Sequence, residues 1–169
     1  MGEVPLAKRT STSDTDSPIR EDAMTKRSKR KPVVLVVDDD FSVAQTLAWL
    51  FQQAAYACAM AHTGRDAIDL ASQMTIDVAL VDAVLPDIDG LETAAAICRK
   101  IAGCKILLMS GDPEGVRMLE VANQQGMHFD LLAKPIPLPE LLEKVSSLLS
   151  QESETRAKGL ALAAKRKAS

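Results

Sequence analysis

Between residues 33 and 150, five short apolar segments alternate with five amphipathic segments, and this alternation constrains the fold more than any other feature of the chain. The first apolar segment, Val33–Val37, is rich in valine and is typical of a strand buried on both faces. The amphipathic segments carry apolar residues at helical spacing. The alternation therefore predicts an α/β fold in which helices cover both faces of a parallel sheet.

The boundaries of these segments follow from the apolar patterns and from Gly and Pro at the breaks. The predicted strands are 33–37, 56–61, 77–81, 105–109 and 129–133. The predicted helices are 42–55, 65–73, 91–101, 113–125 and a last helix that begins near Pro137. The buried face of the last helix is predicted to consist of Leu138, Leu141, Leu142, Val145, Leu148 and Leu149.

Polar side chains follow four of the five strands where each strand ends. They are Asp38, Asp39 and Asp40 after strand one, Asp82 after strand three, Ser110 after strand four and Lys134 after strand five. Because the carboxyl ends of parallel strands meet at one edge of a sheet, we expect these side chains to share one pocket. Adjacent carboxylates repel one another unless a cation neutralises them, and oxygen ligands suit Mg²⁺. The pattern predicts a site for a divalent metal.

This combination of acids, a hydroxyl and a lysine suits phosphoryl transfer to a carboxylate. An aspartate can act as the nucleophile and carry an acyl phosphate. A lysine ammonium supplies a point charge for a phosphate oxygen, and a serine hydroxyl can donate a hydrogen bond to another. A bound metal would neutralise charge on the transferring group.

Over about residues 33–150 the chain resembles the receiver domain of two-component response regulators. The resemblance rests on four segments that agree in order, spacing and strand context: Val36-Val37-Asp38-Asp39, Asp82-Ala83-Val84-Leu85-Pro86-Asp87-Ile88-Asp89-Gly90, Leu108-Met109-Ser110-Gly111 and Lys134-Pro135. It implies a flavodoxin-like, doubly wound sheet of five parallel strands in the order 2-1-3-4-5.

The resemblance also implies a metal site for Mg²⁺, which Mn²⁺ can replace. Asp38 and Asp39 match the acidic pair of the family, with Asp39 favoured as the direct metal ligand. Asp82 contributes its carboxylate, and Val84 matches the position whose backbone carbonyl completes the site. Asp40 falls outside this set, and we interpret it as the cap of the first helix.

The same resemblance assigns the phosphoryl chemistry. Asp82 matches the phosphoacceptor, which takes the group from a histidine kinase or a phosphotransfer protein. Ser110 matches the residue that moves to bond the phosphate, and Lys134 matches the lysine that pairs with it. Pro135 matches a proline that usually follows a cis peptide bond.

Three further residues bear on the conformational switch of the family and on the lifetime of the phosphate. The family often carries Tyr or Phe three residues before the lysine, but this chain has Leu131 there. Phe129, two residues earlier, should lie on the same face of the strand, and we interpret it as a core aromatic. Asp112 matches a position that tunes phosphate lifetime, where an acid could either orient or repel an attacking water.

Composition divides the chain of 169 residues into an acidic middle and two basic ends. Residues 1–32 carry eight Lys/Arg against five Asp/Glu and are predicted to be a disordered tail. Met24 is an alternative start site, and the residues before it would then not belong to the protein. Residues 33–150, the predicted receiver, carry seven against sixteen. Residues 151–169 carry five against two and are predicted to be partly helical or disordered. No membrane span and no secretory signal is apparent, so we expect a cytoplasmic protein.

These patterns favour a single-domain response regulator that is a phosphoacceptor rather than an enzyme. Residues 151–169 are too few for a DNA-binding output domain, so the signal would pass to an unidentified protein, and a homodimer through the fourth helix, fifth strand and fifth helix stays open. The alternatives are a phosphate sink, a degenerate receiver that acts only as an interaction module, and an aspartate-nucleophile phosphatase. The phosphatase is disfavoured because such enzymes usually carry a second acid where this chain has Val84.

Overall fold

A computed structural model describes residues 30–111, 114–124 and 126–150 of the chain. Its strands are β1 (Val33–Val37), β2 (Ala57–Ala61), β3 (Val78–Asp82), β4 (Lys105–Ser110) and β5 (Asp130–Ala133). Its helices are α1 (Phe41–Gln53), α2 (Gly64–Gln73), α3 (Gly90–Lys100), α4 (Glu114–Gln124) and α5 (138–150). The predicted alternation is confirmed, with boundaries that shift by no more than two residues. Both predicted tails, apart from residues 30–32, lie outside the described residues.

The five strands form one parallel sheet in the order β2-β1-β3-β4-β5, which confirms the expected topology. The register aligns the carboxyl ends of the central strands. Val37 is level with Val81, so the residue after β1 lies beside the last residue of β3. Ser110 is level with Ala133, so the residue after β5 lies beside the end of β4. The pairing thus gathers the strand-end side chains at one edge of the sheet.

Side chains from the central strands alternate between two hydrophobic cores, one on each face of the sheet. The α1/α5 core consists of Val34, Val36, Ala44, Leu47, Phe51, Val78, Leu80, Leu107, Met109, Leu132, Leu141, Val145 and Leu148. The α2/α3 core consists of Leu35, Val37, Ala61, Ala67, Ala71, Ile76, Ala79, Val81, Ala94, Ile97, Cys104, Ile106 and Leu108. One predicted core residue of α5 is wrong: Leu138 is exposed, because it lies at the very start of the helix.

Cys58, Cys98 and Cys104 are free thiols. Burial raises the pKa of the half-buried Cys58 to about 11, and it also raises the pKa of Cys98. Both thiols therefore stay protonated at neutral pH and are poor nucleophiles. Among the helices of the described residues, none has the length and apolar character that crossing a membrane requires.

Asp40 caps α1, as predicted. Its Oδ1 accepts hydrogen bonds from the backbone N–H groups of Ser42 (2.8 Å) and Val43 (3.2 Å), two donors with no partner inside the helix. We expect Asp40→Ala to lower the free energy of unfolding by about 1 kcal/mol, measured by urea denaturation. Asp69→Ala, at an exposed position inside α2, is the matched control and should be nearly neutral. Equal stabilities for both variants would contradict this role for Asp40.

Candidate functional site

The structure brings the polar strand-end residues together at the carboxyl edge of the sheet. Asp38 directly follows β1 and is buried, with 1% of its surface exposed. Asp82 is the last residue of β3, and Ser110, which is also buried, is the last residue of β4. Lys134 directly follows β5 and reaches across the edge of the sheet. Each of these side chains is thus positioned by a strand that is fixed in register with its neighbour.

Lys134 links the two acids at the centre of this pocket. Its Nζ lies 2.7 Å from Asp38 Oδ2 and 2.7 Å from Asp82 Oδ2. Desolvation acts to lower the pKa of this ammonium, but the hydrogen bonds and charges of Asp38 and Asp82 outweigh it and raise the pKa above its ordinary value. Lys134 is therefore charged at neutral pH. The sequence predicts only that Lys134 pairs with a phosphate, and it does not predict the contacts of Lys134 with the two carboxylates.

Asp39 completes an acidic cluster with the two acids that Lys134 contacts. One carboxylate oxygen from each of Asp38, Asp39 and Asp82 lies within 4.8 Å of those of the other two. Asp39 is exposed, so the cluster opens to solvent on its side. The single charge of Lys134 cannot neutralise three carboxylates, and their oxygens are the ligands that Mg²⁺ prefers. The donor set therefore fits a divalent metal of this kind.

Asp38 is held in place by its backbone as well as by its side chain. Its N–H donates to the carbonyl of Ala61 (3.2 Å), and its Oδ1 accepts from the N–H of Asp40 (3.0 Å). Its own carbonyl lies 3.0 Å from His62 Nδ1. Because a carbonyl only accepts, that ring nitrogen carries the proton. No sequence pattern predicts this contact, because His62 belongs to none of the motifs described above and is separated from Asp38 by 24 positions.

The loop after β3 begins and ends with tight contacts. The N–H of Ala83 donates to the carbonyl of Met109 (2.8 Å), which extends the pairing of β3 with β4. The N–H of Val84 donates to Asp82 Oδ1 (3.3 Å), and its side chain is exposed. At the far end, the N–H of Gly90 donates to the carbonyl of Ala83 (3.0 Å). A Cβ added at Gly90 would lie 2.0 Å from the carbonyl oxygen of Asp82, so only glycine fits there.

Ser110 packs against the first turn of α4. A Cβ at Gly115 would lie 2.4 Å from Ser110 Cβ and 2.5 Å from its Oγ, so glycine makes room for this serine. Leu131 and Phe129 are partly buried against the α2/α3 core, in agreement with the prediction that they share a face. The Lys134–Pro135 peptide bond is cis, the form that the resemblance implies. The predicted tuning residue, Asp112, lies outside the described residues.

The strand order and the cluster of acids with a bridging lysine define a receiver of the two-component type, and a comparison with known families agrees. The model described as "Response regulator receiver domain" matches residues 34–146. The chain therefore belongs to the response regulator receiver domain family. Response regulator MprA of Mycobacterium tuberculosis is 31% identical over 135 residues, which cover 76% of this chain and 56% of that protein. The chain thus corresponds to about half the length of this curated relative.

Solved structures show the same fold. The signal receiver domain of an HD domain-containing protein from Pseudomonas fluorescens Pf-5 is 26% identical, with a TM-score of 0.69, and the match covers 76% of this chain and 93% of that one. A response regulator from Burkholderia pseudomallei is 28% identical, with a TM-score of 0.62, and the match covers 76% and 73%. The Burkholderia structure contains a phosphorylated aspartic acid, a calcium ion and citrate.

Proposed function

We propose that Asp82 accepts a phosphoryl group from a phosphohistidine of a histidine kinase or phosphotransfer protein. The observation that carries this proposal is the position of Lys134, whose ammonium lies 2.7 Å from the Asp82 carboxylate and is shared with Asp38. In the reaction, an Asp82 oxygen forms a bond to phosphorus as the bond from phosphorus to the imidazole nitrogen breaks. The electron pair of that bond stays on the donor nitrogen, and the product is an acyl phosphate.

The residues around Asp82 would stabilise the group that arrives. Lys134 already contacts the acceptor carboxylate, so its ammonium can turn to a phosphoryl oxygen with a short movement. Asp38 retains the lysine during this exchange, because it is buried and its other oxygen is fixed by the N–H of Asp40. The Ser110 hydroxyl, at the end of the adjacent strand, can donate to a second phosphoryl oxygen.

The proposal includes Mg²⁺, or Mn²⁺ in its place, at the acidic cluster. Asp39, Asp82 and the backbone carbonyl of Val84 would hold the ion, with Asp38 beside them. Bound there, the metal supplies positive charge that offsets the charge of the phosphoryl oxygens. The clustering of three carboxylates supports this assignment. A phosphorylated aspartate and a calcium ion occur together in the related Burkholderia structure.

The phosphorylated domain would signal through altered protein–protein contacts. Movement of Ser110 toward the phosphate would change its contact with Gly115 and so bias the β4–α4 region and β5 between two arrangements. The domain would catalyse its own phosphorylation and dephosphorylation and act on no separate substrate. The intact set of Asp38, Asp39, Asp82, Ser110 and Lys134 disfavours a receiver that serves only for binding.

Incubation with acetyl phosphate or phosphoramidate and Mg²⁺ tests the proposal. We expect wild-type protein to gain the mass of one phosphoryl group, measured by intact-protein mass spectrometry. The same reaction without Mg²⁺ should give no mass gain. Asp82→Asn should gain nothing, because a neutral amide does not attack phosphorus under these conditions. Asp69→Asn, at an exposed position in α2, serves as the matched control and should behave like wild type.

Two results would count against phosphorylation of Asp82. An equal mass gain in Asp82→Asn would place the phosphoryl group elsewhere. Repeated turnover of free phosphate esters by the wild type would instead indicate a hydrolase.

A further inference from the structure

Asp87 connects the loop after β3 to a helix that is distant in sequence. Its Oδ1 accepts from the backbone N–H of Gly64 (2.8 Å), and its Oδ2 accepts from the N–H of Arg65 (3.0 Å). These are the first two N–H groups of α2, which have no partner within the helix. The third donor, on Asp66, is satisfied locally by Thr63 Oγ1 at 3.1 Å. The start of α2 is therefore capped both by Thr63, its N-cap residue, and by Asp87 from the loop after β3.

Packing at the same junction brings the loop directly against α2. A Cβ at Gly64 would lie 3.2 Å from Ile88 Cβ and 3.3 Å from the Ile88 carbonyl oxygen. It would also lie 2.4 Å from Thr93 Oγ1 of α3, which is fully buried. The glycine thus lets the loop after β3 and the first turns of α3 approach the start of α2 closely. The two hydrogen bonds that Asp87 accepts therefore join surfaces that are already in contact.

The charge of Asp87 is maintained at neutral pH. Desolvation acts to raise the pKa of this carboxyl, but the backbone N–H groups of Gly64 and Arg65, with those of Ile88 and Asp87 itself, lower the pKa below its ordinary value. The partial positive charge at the start of a helix also favours a carboxylate at this place. Both hydrogen bonds are therefore present under the conditions in which the domain would be phosphorylated.

The segment between Asp82 and Asp87 contains Val84, whose backbone carbonyl is one of the metal ligands in the function proposed above. Val84 has 61% of its surface exposed, so packing of its side chain does little to hold it. The hydrogen bond that the Val84 N–H donates to Asp82 Oδ1 is long, at 3.3 Å. The position of the Val84 backbone therefore depends on the contacts that hold the rest of the loop in place. Asp87, three residues later, provides such contacts through its two hydrogen bonds to the start of α2.

We infer that Asp87 is a positioning residue: by fixing the loop to the start of α2, it places the backbone of Val84 beside Asp82 and so sets the affinity of the acidic pocket for a divalent cation. The inference rests on the proposed function, because it assumes that Asp82 and Val84 share a metal. It assigns Asp87 no contact with the metal or the phosphoryl group.

Binding of Mn²⁺, followed by electron paramagnetic resonance of the free ion, tests this role without any phosphorylation step. Asp87→Ala should weaken the apparent affinity roughly 10-fold, the size expected when a residue that orients a ligand is lost. Asp87→Asn keeps one acceptor oxygen and should lie between this variant and wild type. Asp66→Ala removes a charge from the same helical turn without a bond to the loop and should match wild type.

Phosphorylation kinetics provide an independent readout. If Asp87 acts through the metal, raising Mg²⁺ should restore the acetyl phosphate reaction of Asp87→Ala to nearly the wild-type maximum rate, with a shifted half-saturation concentration. An unchanged Mn²⁺ affinity in Asp87→Ala would overturn the inference, even if the variant were less stable, because Asp87 would then only cap α2.

Two further outcomes would also overturn the inference. If Asp87→Ala does not fold, Asp87→Asn decides, and wild-type affinity in that variant overturns the inference. A wild-type domain that binds no Mn²⁺ overturns it as well. Failure of the proposed function has a different signature: Mn²⁺ would bind and respond to Asp87, but Asp82 would gain no phosphoryl group.

Discussion

Replacing Gly90 with alanine is expected to lower the free energy of unfolding by about 3 kcal/mol. The added Cβ would lie 2.0 Å from the carbonyl oxygen of Asp82 and 2.7 Å from the Cα of Ala83. Both are backbone atoms beside a central strand, so they cannot yield as a flexible side chain would. Urea denaturation followed by circular dichroism measures the loss. The folded fraction should also accept phosphate poorly, because relief of the clash displaces Asp82.

Gly111→Ala is the matched control for this prediction. Gly111 is exposed at the same edge of the sheet, and a Cβ there would meet only Lys134 Cβ, at an ordinary contact distance of 3.8 Å. This variant should unfold at nearly the wild-type urea concentration. Equal and small effects of the two substitutions would show that the start of α3 can move away from Asp82, against the close packing described above.

Lys134→Met is expected to slow phosphorylation of Asp82 by acetyl phosphate roughly 100-fold at saturating Mg²⁺. Methionine retains most of the length of the side chain but removes the ammonium that contacts Asp38 and Asp82. Without that charge, the two carboxylates repel each other and the incoming phosphoryl oxygens lose their positive partner. The initial rate of mass gain, measured on folded protein, reports the effect.

Lys144→Met provides the control for the loss of one lysine. Lys144, on α5, forms an exposed ion pair with Asp130 at the start of β5, with Nζ 3.0 Å from Oδ1 and away from the pocket at the carboxyl end of the strands. An exposed pair of this kind contributes little, so the rate should stay near that of wild type. A similar rate in Lys134→Met and wild type would remove Lys134 from the proposed chemistry.

Much of the fold could be predicted from local patterns. The strand Val33–Val37 has the predicted boundaries because a valine-rich run can be buried on both faces only in the middle of such a sheet. Asp40 was predicted as a cap because its position before an amphipathic segment is a local signal. Leu138 was placed wrongly in the core because periodicity predicts a face of a helix but not where neighbouring elements stop covering it.

The contacts of the candidate site that join residues far apart in the sequence could not be predicted from local patterns. The acids and Lys134 were found because each follows a strand, and strand ends converge in a parallel sheet. The bonds from Asp87 to Gly64 and Arg65 join residues 23 and 22 positions apart, and no spacing rule relates a loop acid to a helix so far away. The same holds for His62 and the carbonyl of Asp38, 24 positions apart.

The division of the interior into two cores has a consequence for how the sequence can change during evolution. Val36 belongs to the α1/α5 core and Val37 to the α2/α3 core, although they are adjacent in the chain. Substitutions couple most strongly between side chains that are in contact, so coupling between Val36 and Val37 across the sheet should be weaker than coupling within either core. Val36 and Leu141 instead share a core across more than a hundred positions. Compensating changes in this domain are therefore expected between distant segments rather than between adjacent residues.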